Sequence, residues 1–237
     1  MGYIEGFVVA VPAANKDSYV AMASRFAPLF REFGATRLVE AWGDDVPDGK
    51  VTDFKGAVKA TPDEVVVFAW LEYPSKEARD AANVKLRSDP RMEPAGDHMP
   101  FDAKRMIFGG FAVLHDEKSA GKAGYVDGCL IPVPAANKQA YADMATQMAA
   151  VFRDHGAVRV VEAWADDVPD GTITDFKGAV KATPDEKVVY SWIEWPSKAV
   201  RDEGWKKVMA DPRAQGGAMP FDGKRMIYGG FAPVVDA

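Results

Sequence analysis

Apolar positions along this chain follow two periods, and each period marks an element. Residues 3–11 are rich in β-branched and aromatic side chains and stop at Pro12, which predicts a strand. Tyr19, Met22, Ala23, Phe26, Leu29, Phe30 and Phe33 then recur at helical spacing. Asn15 suits the N-cap of that helix and Gly34 the position just past its end. Pro28 falls inside it and predicts a bend, since an interior proline costs about 3 kcal/mol or kinks the helix. A second strand is expected over 35–44. A polar loop follows over 45–63, with a short extended piece near 52–59. Residues 65–73 predict a third strand, bounded by Pro74. Ser75 caps a second helix that runs to about Ser88 and ends at Asp89-Pro90. A fourth strand is expected over 105–114. The order is β-α-β-β-α-β, the ferredoxin-like unit, which places both helices on one face of the sheet.

The pattern then begins again. Tyr3 to Arg91 aligns with Tyr125 to Arg213 without a gap, and Met99 to Phe111 aligns with Met219 to Phe231. About 60% of the aligned positions are identical, so this is a duplication. The expected organisation is a first repeat over 1–114, a polar linker over 115–123 and a second repeat over 124–237. The fold class this predicts is α+β: two tandem ferredoxin-like repeats packed as a pseudo-two-fold α+β barrel, the covalent form of a two-fold dimer. Pairing of each repeat with a repeat of another chain, giving a larger oligomer, is the alternative.

Composition narrows the function classes. The chain has 237 residues, a net charge of −6 and no basic tract, which disfavours a nucleic-acid partner. No apolar run reaches the ~20 residues that cross a bilayer, so no membrane partner is expected. No charged-then-apolar leader is apparent, and the expected location is cytoplasmic. Cys129 is the single cysteine, so neither an intrachain disulfide nor a cysteine metal site is available. Its counterpart in the first repeat is Phe7, which reads as a packing position.

A longer set of motifs repeats in both halves. Glu40-Ala-Trp-Gly-Asp-Asp-Val-Pro-Asp-Gly, Trp70, Pro74-Ser75-Lys76, Arg79-Asp80, Asp89-Pro90-Arg91 and Met99-Pro-Phe-Asp-x-Lys-Arg-Met-Ile-x-Gly-Gly-Phe111 together resemble the bacterial family known as domain of unknown function 1428. The resemblance covers nearly the full length of both repeats. It implies a dimeric α+β barrel and brings no established activity. The wider group of such barrels includes small oxygenases, haem-degrading enzymes, isomerases and stress-response proteins.

The candidate chemistry lies on two strands. Alternate strand residues share a face, so Leu38, Glu40, Trp42 and Asp44 form one set and Val66, Phe68, Trp70 and Glu72 another. The second repeat returns Glu162, Trp164, Trp192 and Glu194. A tryptophan beside a glutamate offers an apolar wall with one orienting polar group. A desolvated glutamate could also serve as general acid or base. The competing reading makes these glutamates ion-pair partners of Arg37, Arg79, Arg105 or Lys59, with the indoles as core. Asp44, Asp45 and Asp48 lack the spacing of a Ca²⁺ loop, and Pro-Asp-Gly is turn chemistry. His98, His115 and His155 have no histidine counterparts in the other repeat, so no histidine common to both halves could hold a metal or haem. No metal and no cofactor is expected. Gly109-Gly110 predicts a bulge or a close backbone approach. Lys104-Arg105 would meet an anion or a partner such as Asp102 or Asp80. Three functions stay open. One is a binder of a small molecule in a barrel interior lined by Glu40, Trp42, Trp70, Glu72 and their second-repeat equivalents. Another is a cofactor-independent enzyme using a glutamate of that pocket. The last is a protein-interaction scaffold without a pocket.

Overall fold

The computed structural model describes residues 2–92, 99–215 and 217–237. The first repeat contributes β1 (Tyr3–Pro12), α1 (Lys16–Glu32), β2 (Arg37–Asp45), α2 (Phe54–Ala57), β3 (Glu64–Tyr73), α3 (Lys76–Ser88) and β4 (Ile107–Lys118). The second returns the set as β5 (Tyr125–Pro134), α4 (Lys138–Asp154), β6 (Arg159–Asp167), α5 (Phe176–Ala179), β7 (Glu186–Trp195), α6 (Lys198–Ala210) and β8 (Ile227–Asp236). Each repeat forms a four-stranded antiparallel sheet. The two sheets join edge to edge through β2–β8 and β4–β6, closing one eight-stranded barrel in the order β1-β3-β2-β8-β5-β7-β6-β4. Closure within the chain removes every open sheet edge. No helix among the described residues is long and apolar enough to cross a membrane.

Several local expectations are met for the physical reasons that motivated them. Ser75 accepts the backbone N–H of Ala78 and starts α3. Gly34 follows α1 at a φ of 114°, a conformation a side chain would resist. A Cβ on Gly110 would come within 2.4 Å of the Tyr3 hydroxyl, so this glycine answers a close approach, and the β4–β6 register also shifts beside it. Other expectations are corrected. Residues 52–59 hold a short helix, α2, because Asp53 accepts the Gly56 N–H at 2.6 Å and caps it. Asn15 stands at the N-cap of α1 but makes no side-chain cap; its amide donates instead to the Pro100 carbonyl at 2.9 Å. α1 runs on through Pro28 to Glu32. Residues 115–118, expected in a linker, are the last four residues of β4 and pair with β6.

The barrel interior is filled by side chains from both repeats. Trp70 lies on Trp192 with ring centroids 4.5 Å apart, and Phe68 stacks on Tyr190 at 4.5 Å. The rings approach this closely because the facing strand positions are glycines: a Cβ on Gly6 would sit 2.7 Å from the Tyr190 ring. At one end, Phe54 of α2 and Phe176 of α5 pack edge-on against Phe68 and Phe111. Thr52 and Thr174, just before these helices, donate to the Ala179 and Ala57 carbonyls of the opposite repeat.

The other end is closed by charge. Arg37 grips Glu194 through two hydrogen bonds of 2.7 and 3.1 Å, and Arg159 grips Glu72 through two of 2.7 and 2.9 Å. Each arginine also holds an aspartate at the end of the adjoining strand, Asp236 or Asp116. The Trp70 and Trp192 indole N–H groups donate to Glu72 and Glu194 at 3.1 and 3.0 Å. Both glutamate pairs therefore cross between repeats. Asp44 and Asp45, read in the sequence as the start of a turn, also tie the repeats together. Asp44 accepts from Tyr125 at 2.8 Å and from Lys198, and Asp45 from Arg201 at 2.9 Å.

Removing one member of such a buried set leaves carboxylates desolvated and unpaired. Arg159→Ala is expected to cost about 3–5 kcal/mol of unfolding free energy. Urea denaturation checks this, with Arg91→Ala, which breaks an exposed pair with Glu32, expected to cost far less. Equal losses would show that the crossed pairs do not hold the barrel shut.

Candidate functional site

The eight predicted site residues fall on opposite sides of the sheet. In the β2–β3 register Glu40 stands opposite Ala69 and Trp42 opposite Val67, while Trp70 stands opposite Val39. Glu40 and Trp42 therefore face outward beneath α1, and Trp70 and Glu72 face the barrel interior. The same division separates Glu162 and Trp164 from Trp192 and Glu194. Alternation describes each strand, but the two strands are offset by one residue relative to the shared face expected of them. Trp70, Trp192, Glu72 and Glu194 belong to the packed interior and the arginine clasp just described. Glu40 and Glu162 have other surroundings.

Glu40 sits between the sheet and α1. The Tyr19 hydroxyl donates to its Oε2 at 2.6 Å. Burial pushes the Glu40 carboxyl up to about 7, against the lowering effect of that hydrogen bond. A cavity of about 230 Å³ opens beside it, walled by Tyr19, Met22, Ala23, Phe26, Met92, Met99, Phe101 and Met106 among others. Apart from Glu40 and the Tyr19 hydroxyl, these side chains offer only carbon and sulfur. Trp42 is a neighbour of this dyad, with its ring 6.4 Å from that of Tyr19 and Lys16 Nζ 5.2 Å from its own centroid.

The second repeat keeps the dyad and alters its setting. Tyr141 donates to Glu162 Oε2 at 2.6 Å, and burial again raises that carboxyl to about 7. Ser191 stands where the first repeat has Ala69, and its hydroxyl is a second donor to Glu162. Lys138 lies over Trp164 as Lys16 lies over Trp42. The two tyrosines are absent from the residues the sequence pattern marks as candidates. They were legible as part of a helical apolar stripe, but a buried tyrosine hydroxyl needs a partner, and that requirement was the available signal.

Remaining candidates resolve as supports. Arg105 holds Glu64 through hydrogen bonds of 2.7 and 2.6 Å and Asp102 through one of 3.0 Å. This lowers the Glu64 carboxyl to about 2. His155 Nε2 lies 2.9 Å from Asp211, His115 lies 3.4 Å from Thr146, and His98 falls outside the described residues.

Comparison with known proteins agrees with this architecture. Residues 2–103 and 124–223 both match the family described as Protein of unknown function (DUF1428). The chain belongs to that family, and carries two copies of it. The uncharacterized protein YbaA of Escherichia coli K12 is 66% identical over 117 residues, which is 49% of this chain and 100% of YbaA. A candidate monooxygenase from Lactobacillus acidophilus NCFM superposes with a TM-score of 0.57 at 11% identity, over 100% of this chain and 95% of the other. An anthrone oxidase-like protein superposes with a TM-score of 0.53 at 11% identity, over 100% and 92%. At such identities these structures share the fold.

The near-neutral carboxyl has a thermodynamic signature. Glu40 moves from 4.5 to about 7 on folding. Between those values the folded state keeps a proton that the unfolded state has released, so this group's contribution to stability falls as pH rises through the window. Glu40→Gln is expected to remove a pH-dependent loss on the order of 3 kcal/mol, seen by comparing urea unfolding of variant and parent at pH 5 and pH 8. An identical pH dependence in both would place Glu40 in contact with water and withdraw the shift.

Proposed function

We propose that this protein binds a small, largely apolar molecule carrying one hydroxyl or carbonyl group, held in the cavity between α1 and the sheet. The reading is carried by one observation: an apolar space of about 230 Å³ with a single carboxyl group, Glu40, poised near neutrality at its wall. Apolar lining supplies affinity in proportion to area removed from water. One polar group fixes orientation. Tyr19 occupies Oε2, which leaves the other carboxyl oxygen for a ligand. Protonated, that oxygen donates to a carbonyl; ionised, it accepts from a hydroxyl.

The same near-neutral carboxyl favours a second reading. A group with its pKa close to the working pH is suited to move a proton to or from an activated carbon of the bound molecule. Glu40 would be the acid or base and Tyr19 its positioning partner, with Glu162 and Tyr141 repeating the pair. No cofactor enters this reading.

Binding of one- and two-ring phenols and aryl ketones, followed by calorimetric titration at pH 6 and pH 8, tests the first reading. Ketones are expected to bind more tightly at pH 6 and phenols at pH 8, and Glu40→Gln should abolish both preferences. Ala23→Leu, which fills the cavity, should weaken all of them at least tenfold. Affinities indifferent to pH and to both substitutions would overturn the proposal. Proton exchange at the α-carbon of a bound ketone, lost in Glu40→Gln, would select the second reading.

A further inference from the structure

We propose that the second repeat carries a separate site, over β5 and β8 beside α6, that takes a neutral planar aromatic molecule bearing a carbonyl acceptor. It is walled by Asp127, Cys129, Arg201, Trp205, Met226 and Tyr228, which enclose about 350 Å³. It is not the second-repeat twin of the Glu40 cavity.

Divergence between the repeats made it. The corresponding place in the first repeat is a wide groove of about 700 Å³ that includes Glu5, Phe7, Asn83, Met106 and Phe108. Two exchanges change its character. Asn83 is replaced by Trp205, whose indole N–H donates to Asp127 at 2.7 Å and whose ring packs edge-on against Phe152 at 5.1 Å. This anchors a rigid aromatic wall across the groove and narrows it. Phe7 is replaced by Cys129, which removes a ring from the floor and leaves a small, polarizable thiol in its place. Tyr228, half exposed, faces solvent on β8 at the position of Phe108. Two aromatic walls with sulfur from Met226 and Cys129 suit a planar π-system.

The polar groups set the ligand's charge. Asp127 receives Arg201 Nε at 2.8 Å and the Trp195 indole at 2.9 Å, besides Trp205. Arg201 Nη1 is held by Asp45 and Asp202 at 2.9 and 3.0 Å. Three carboxylates thus surround one guanidinium, which opposes an anionic ligand. Arg201 Nη2 donates no hydrogen bond among the described residues, so the site keeps a donor for a neutral acceptor. Burial holds the Cys129 thiol protonated, so it serves as wall and not as nucleophile.

Saturation-transfer NMR with 2-quinolinone, a neutral bicyclic lactam, tests the site. Wild type is expected to bind it saturably below millimolar concentration. Trp205→Asn and Cys129→Phe, which restore the first-repeat residues, should each weaken binding at least tenfold. The Phe7 precedent in the same fold makes Cys129→Phe a folded control for Trp205→Asn. Asp48→Ala, which breaks an exposed pair with Lys55 away from both cavities, should leave this binding unchanged, and weakening by the two second-repeat exchanges separates this site from the cavity beneath α1. Absence of saturable binding, retention of affinity within twofold in both second-repeat variants, or equal loss in Asp48→Ala would each overturn the assignment.

Discussion

The crossed pairing of Arg37 with Glu194 and Arg159 with Glu72 ties the two repeats together at one end of the barrel. Each pair joins one repeat to the other, and each glutamate also accepts from the indole on its own strand. The charges are deeply placed, and their cost is offset only because the hydrogen bonding is nearly complete. With the indoles so fixed, Trp70 and Trp192 meet across the barrel axis. Phe68, Tyr190, Phe111 and Phe231 fill what remains of the interior. A filled interior forces any ligand space outward, between the sheet and the helices.

The outer faces of the two repeats differ around the conserved dyad. The Glu–Tyr dyad is kept in both, with the same 2.6 Å hydrogen bond. Around it Ala69 becomes Ser191 and Phe7 becomes Cys129, and nearby Asn83 becomes Trp205. None of these exchanges touches the arginine clasp, so the scaffold tolerates them. Duplication within one chain lets two outer surfaces change independently, which an assembly of identical subunits could not do.

Much of this was legible in the sequence. The β-α-β-β-α-β order, the helix caps at Ser75 and Gly34 and the face assignments within each strand follow from local periodicity and turn chemistry, which act over a few residues. What was not legible depends on pairing between strands. Alternation places Glu40 with Trp42 and Trp70 with Glu72, but a one-residue choice of register decides whether the two sets meet. Here it separates them. The same limit hid the partners of Asp44 and Asp45, which lie in the other repeat at Tyr125, Lys198 and Arg201. Near-identity of the repeats added to the difficulty, because an arginine of one copy has equally good carboxylates in both. The Asp53 cap of α2 was a local signal that the Gly- and Pro-rich surroundings obscured.

The proposed ligand space lies beneath α1 and not inside the barrel. Xenon occupies apolar cavities without needing polar partners, so a crystal pressurised with xenon shows directly where such space lies. Xenon density is expected between α1 and β2–β3, in contact with Met22 and Phe26. Density between the Trp70 and Trp192 rings, or between Phe68 and Tyr190, with none beneath α1, would contradict it.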